Sequence, residues 1–91
     1  MENHIHTSHK QVLNRLARIE GHVAAVKRMV AEGRDCPEVL VQMAAIRKAM
    51  DNTAKLILKD HIEHSLVHTA GGEDQTEVLQ KLQKALDRYM G

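Results

Sequence analysis

The chain has no tryptophan and no phenylalanine, and Tyr89 is its single Phe/Trp/Tyr aromatic. Its core must therefore come from Leu, Ile, Val, Met and Ala, packed as helix seams. One cysteine, Cys36, excludes an internal disulfide and with it the cross-linked framework of small secreted proteins. No stretch approaches the roughly 18–20 apolar residues that span a membrane. The opening MENHIHTSHK lacks the apolar core of a signal peptide, so a cytoplasmic location, a reduced thiol and no membrane partner are expected. Also missing are a Gly-rich phosphate loop and a nucleophile with an adjacent base and orienter. The expectation is no catalytic residue and no enzyme.

What is present is short and polar at its start. At 91 residues the chain reads as one domain near the lower limit for a self-sufficient core, and such chains commonly gain buried surface by oligomerising. The net charge of +1 hides an asymmetry: residues 1–34 carry net +3 and residues 35–91 net −2. The basic side chains of the first segment are Lys10, Arg15, Arg18, Lys27, Arg28 and Arg34. That polarity fits a phosphate-facing surface and equally fits an ordinary solvated helix face.

Periodicity predicts an all-α fold. Residues 1–7 read as a flexible arm. Over about 8–32, Val12, Leu16, Ile19, Val23, Val26 and Val30 step four and three alternately, a two-per-heptad helix seam closed by Gly33. Asp35-Cys36-Pro37-Glu38 opens a second helix over about 36–68, with Pro37 suited to the first helical position and Asp35 or Cys36 at the cap. Thirty-odd residues at 1.5 Å each give roughly 45 Å, too long for one protomer to cover. After Gly71-Gly72, Asp74-Gln75-Thr76-Glu77 has the form of a capping box. It starts a short third helix over about 75–90, with Val78 or Leu79, Leu82, Leu86 and Tyr89 on one face. Two long helices in a hairpin plus a short C-terminal helix are expected, two hairpins dimerising as an antiparallel four-helix bundle.

The second helix carries the chemistry. Its stripe Val39, Met43, Ile46, Met50, Thr53, Ile57 continues into His61, His64 and His68. Burying an imidazole without a partner costs roughly 1–3 kcal/mol, so histidines in such a row hold something or are hydrogen-bonded. With a thiol available, a transition metal is the leading candidate. Cys36 sits at a helix N-terminus, which favours a thiolate and suits both metal ligation and nucleophilic reactivity. Cys36 and His61 stand about 25 residues apart on one helix, so a Cys–His site must bridge two antiparallel subunits. The N-terminal His4, His6 and His9 are either incidental or an extra ligand set brought to that site.

At this point the sequence resembles the CsoR/RcnR family of small all-helical bacterial repressors. The likeness runs nearly the whole length, through Asn14-Arg15-Leu16-Ala17-Arg18-Ile19-Glu20-Gly21-His22, Cys36, Val41-Gln42-Met43-Ala44-Ala45-Ile46-Arg47 and Leu58-Lys59-Asp60-His61-Ile62-Glu63-His64-Ser65. The resemblance implies a flat dimer-of-dimers homotetramer without a helix-turn-helix. It implies repression of an export or detoxification operon, relieved when an inducer binds between subunits. It also implies contacts to double-stranded operator DNA from Lys10, Arg15, Arg18 and Arg47 or Lys48, made mainly to phosphates and DNA shape.

Within that family this chain departs from each named effector type. Copper sensors present Cys, His and a second Cys four residues on, where this chain has Cys36, His61 and Ser65. Nickel/cobalt sensors add an N-terminal His, matched here by His4, and a His at the position of Ser65. Formaldehyde sensors use an N-terminal Pro, and residue 2 is Glu. Persulfide sensors need two cysteines.

The expectation is a metal-responsive repressor with Cys36 from one subunit and His61 and His64 from its partner as ligands. His4 or His6 would close the site, and Ser65 would stand beside the ligands. One sulfur with several nitrogens suits Ni(II), Co(II) or Zn(II) as well as Cu(I). Two alternatives are a thiol-reactive sensor of the same fold, with Cys36 modified by formaldehyde or another electrophile, and a helical metal buffer that binds no DNA.

Overall fold

The structure is a computed structural model that describes residues 7–68 and 75–91, with side chains over 8–63 and 76–91. It has three helices, α1 (Thr7–Ala31), α2 (Cys36–His68) and α3 (Gln75–Met90), and no strand among the described residues. The fold is all-α.

The turn between α1 and α2 is built by its residue types. Gly33 adopts φ 75°, a left-handed conformation that costs a residue with a Cβ. Arg34 N–H donates to Met29 O at 3.0 Å and Gly33 N–H to Val30 O at 3.1 Å. This pair of bonds is a Schellman C-cap, which satisfies carbonyls the helix end would leave bare. Asp35 then takes the N-cap, since its carbonyl accepts the first bond of α2 from Val39 N–H at 3.1 Å. Cys36, and not Pro37 as expected, is therefore the first helical residue; Pro37 is the second, still within the first turn, where a missing N–H costs nothing.

The chain divides into two compact units, residues 1–60 and 61–91. In the first, α1 lies along α2 through rows spaced by seven. Val12, Ile19 and Val26 form the inner row of α1, with Ile19 only 7% exposed. Val39, Ile46 and Thr53 form that of α2, with Thr53 2% exposed. The buried Thr53 hydroxyl donates to Ala49 O at 2.8 Å, so its polarity is satisfied within its own helix. His22 and Met29 on α1, and Gln42, Ala49 and Leu56 on α2, complete the half-buried seam on one side.

The expected apolar stripes only partly coincide with this seam. Met43, Met50 and Ile57 stay 51%, 43% and 48% exposed, and Val23 and Val30 of α1 are exposed as well. The reason is geometric: a single partner helix covers one stripe, and the seam pairs each inner row with the side that carries His22, Met29, Gln42, Ala49 and Leu56. The remaining apolar positions flank it on the opposite side.

In the second unit, α3 half-buries Val78, Leu82 and Leu86 and leaves Leu79 and Tyr89 exposed. Gln83 Nε2 donates to Asp87 Oδ1 at 3.1 Å along its outer face. The capping-box residue Asp74 and the Gly71-Gly72 pair lie outside the described residues.

Candidate metal centre and basic groove

Two features of the structure bear on function, and they occupy different parts of the hairpin. The first is α2's uncovered stripe. Counting by sevens, Cys36, Met43, Met50, Ile57 and His64 share one row, and Leu40, Arg47, Ala54, His61 and His68 share the adjacent one. Two such rows are the spacing by which one helix meets another. Cys36 and His61 are both exposed, as are Leu40, Met43, Met50 and Ile57 between them.

Next to Cys36, Arg34 and Glu38 bracket the helix start. Arg34 Nε donates to Glu38 Oε1 at 3.0 Å and Nη2 to Oε2 at 3.5 Å, a forked pair across one helical turn. The hydrogen bond and then the charge of Glu38 raise the Arg34 guanidinium above its usual value. Both side chains stand in solvent, so the pair orders the turn more than it stabilises the fold.

Among the described residues, no three metal-ligating side chains converge within one chain. The side chains of His64 and Ser65, and the residues His4 and His6, fall outside the described set.

The second feature lies between α1 and α2 on the polar side of the seam. Arg15, Arg18 and His22 project from successive turns of α1, and Asn52 stands opposite on α2, over a floor of Ile19, Ala49 and Thr53. They enclose an open groove of about 350 Å³ whose lining carries no carboxylate. His22 Nε2 donates to Gln42 Oε1 at 2.7 Å, tying the two helices together at the groove's edge. Of the expected DNA-contacting residues, Arg15 and Arg18 meet here. Lys10 is exposed nearer the start of α1, and Arg47 and Lys48 are exposed on α2 without lining the groove. Arg47 instead falls in the uncovered stripe, in heptad register with Leu40 and His61.

Sequence reasoning passed over Asn52 and the His22–Gln42 bond. The signal that finds them is the inner row itself. Once Val39, Ile46 and Thr53 point inward, Gln42 and Asn52 must flank that row on the side away from Met43 and Met50.

The chain matches known proteins along nearly all its length. A family described as metal-sensitive transcriptional repressor matches residues 8–88. The copper-sensing transcriptional repressor CsoR of Bacillus subtilis (strain 168) is 34% identical over 88 residues, 96% of this chain and 87% of that protein. The transcriptional repressor RcnR of Salmonella typhimurium is 36% identical over 76 residues, 84% of each chain. Among solved structures, the nickel-responsive transcriptional regulator InrS is 46% identical. It aligns with a TM-score of 0.76 over 94% of this chain and 99% of its own. The copper-sensing operon regulator protein CsoRGz is 69% identical with a TM-score of 0.58, covering 60% of this chain and 92% of its own. These relatives are regulators and none is an enzyme by name. The chain belongs to the metal-sensitive transcriptional repressors of the CsoR/RcnR family.

Proposed function

We propose that this protein represses transcription by binding operator DNA and releases it when a transition metal binds between two of its subunits. The observation that carries the reading is the exposed stripe of α2, an apolar face with a thiol at one end and an imidazole at the other. A second copy laid antiparallel on that stripe covers Leu40, Met43, Met50 and Ile57. In the register where Leu40 meets the partner's Ile57, Cys36 meets the partner's His61, because both pairs are equidistant from one two-fold axis.

Cys36 and the partner's His61 are the ligands this pairing supplies, with His64 next on the same face and His4 or His6 as further nitrogen donors. Ser65 stands beside them. One thiolate among imidazoles is a donor set of borderline softness, suited to Ni(II), Co(II) or Zn(II) and also to Cu(I). The bound ion supplies a cross-link between subunits. It acts as an inducer only by binding more tightly to the free tetramer than to the DNA-bound one. The DNA surface is the basic one: Lys10, Arg15 and Arg18 on α1, with Arg47 or Lys48 on α2.

The deciding experiment is an anaerobic titration of the reduced protein with Co(II), Ni(II) and Cu(I), following thiolate-to-metal absorption. Wild type is compared with Cys36→Ala and His61→Ala. A stoichiometric band lost in both variants supports the inter-subunit site, and the ion that wins in competition names the effector class. Absence of tight binding by any ion sinks it.

A second reading draws on the exposure of Cys36 at the first position of a helix. In a covalent sensor, an electrophile such as formaldehyde leaves a mass adduct on Cys36 and chelators do not reverse induction. Intact-protein mass spectrometry separates the two readings.

A further inference from the structure

We infer that Arg47 belongs to the contact between subunits, where it pairs with the partner's Asp51 beside the two-fold axis and selects the register of the two copies. The pairing rests on the antiparallel contact proposed above and adds what fixes its register. Arg47 is exposed in the middle of the uncovered stripe, with Leu40, Met43, Met50 and Ile57 around it. A second copy that covers those side chains takes the guanidinium out of water as well, and a charge removed from water needs an opposite charge beside it.

Asp51 is exposed and follows Arg47 by four residues, so it stands at the edge of the stripe, on the side away from Ile46 and Thr53. A two-fold axis normal to the helix pair keeps that edge on the same side in both copies. The register that sets Leu40 against the partner's Ile57 sets Arg47 against the partner's Met50, with the partner's Asp51 next to it. Arg47 and the partner's Asp51 then differ in height by a single residue, about 1.5 Å. The two Arg47 side chains lie within one helical turn of each other in height, so the two acids also separate like charges. Within one chain the order Arg47 then Asp51 is the weaker arrangement of an i,i+4 pair. A carboxylate accepts several donors, so the interactions Asp51 has in its own chain leave room for this one.

The apolar rows repeat every seven residues and by themselves tolerate a slip of seven. Such a slip sets Cys36 against the partner's His68 and moves Arg47 roughly 10 Å from the partner's Asp51. The charge pair therefore favours the one register in which Cys36 meets the partner's His61, as polar groups do in other helix pairs. Lys48, one turn before Asn52 on the groove's side of α2, is the cation of that helix left for DNA.

Arg47→Asp and Asp51→Arg, made in separate full-length chains, test the pair. The first variant has two acids at these positions and the second two cations, so each repels its own copy and attracts the other. Each is refolded alone and in an equimolar mixture, in metal-free buffer at low salt, and a variant that cannot fold alone still reports in the mixture. Sedimentation gives the assembly state, and native mass spectrometry gives the composition, since the two chains differ in mass.

Each variant alone is expected to dissociate at a protein concentration at least about tenfold above wild type. The mixture is expected to assemble like wild type, with the two chains in equal number in every oligomer, a preference that raised salt weakens. Variants that each assemble like wild type, or a mixture of statistical composition, overturn the pair and leave the subunit contact standing. Variants that dissociate alone and stay apart when mixed also overturn it, because both residues then act within their own chain. A wild type that is itself monomeric sinks the proposed subunit contact and the pair with it.

Discussion

At the scale of single residues, two positions show how local chemistry decides what a substitution costs. Gly33 holds φ 75° with open space where a Cβ would stand, so Gly33→Ala meets no neighbour and its cost is backbone strain alone. We expect a loss of roughly 1–2 kcal/mol in a urea melt at matched protein concentration, and a smaller one for Gly33→Asn. A loss above that range would mean the Schellman turn carries packing as well. Thr53 is polar and buried, but its hydroxyl bonds a carbonyl already engaged in the helix. Thr53→Val keeps the volume and removes no obligatory donor partner, so stability should stay within about 1 kcal/mol of wild type in the same assay. Cys36 differs in kind: exposed at the first position of α2, it contributes little packing. Cys36→Ala is therefore expected to abolish the thiolate-to-metal band while leaving the melt unchanged.

Helix pairing sets the next level. Ile19 and Val26 are the most buried apolar side chains of the hairpin, and they face α2 across the inner row. Ile19→Ala removes three carbons from the best-packed contact. A cost of roughly 2–4 kcal/mol in denaturant unfolding is expected, against under about 1 kcal/mol for Val30→Ala on the exposed side. Equal costs would show that the apolar side of α1 is covered as fully as the seam. The register of α1 on α2 also distributes function. It leaves Met43, Met50 and Ile57 together on one side and gathers Arg15, Arg18, His22 and Asn52 on the other. The hairpin thus has an apolar flank and a cationic flank, and the proposed subunit contact and the basic groove lie on different surfaces.

For the whole molecule, the uncovered stripe is the strongest argument for assembly. Met50→Lys places an ammonium in the middle of it, against the partner's Arg47, without touching the intramolecular seam. Sedimentation is expected to shift from the oligomer to the monomer, with metal binding lost in parallel because Cys36 and the partner's His61 no longer meet. Retention of a stoichiometric metal band in a monomeric Met50→Lys would overturn the inter-subunit site. Much of this was legible in the residues. Alternating steps of four and three, Gly33 after α1, and Asp35-Cys36-Pro37 before α2 are local signals, because caps and periodicity act within a few residues of one another. The all-α class and the family followed from them and from the segment around Arg15-Leu16-Ala17-Arg18-Ile19. Which apolar positions face inward was not legible. Val39, Met43, Ile46 and Met50 read as one stripe, and only packing against α1 separated the first and third from the second and fourth. A helix with apolar residues on two adjacent rows offers two faces of similar hydrophobicity. Which of them is buried depends on the side chains of the other helix, so the groove of Arg15, Arg18, His22 and Asn52 came into being only once the two helices were brought together.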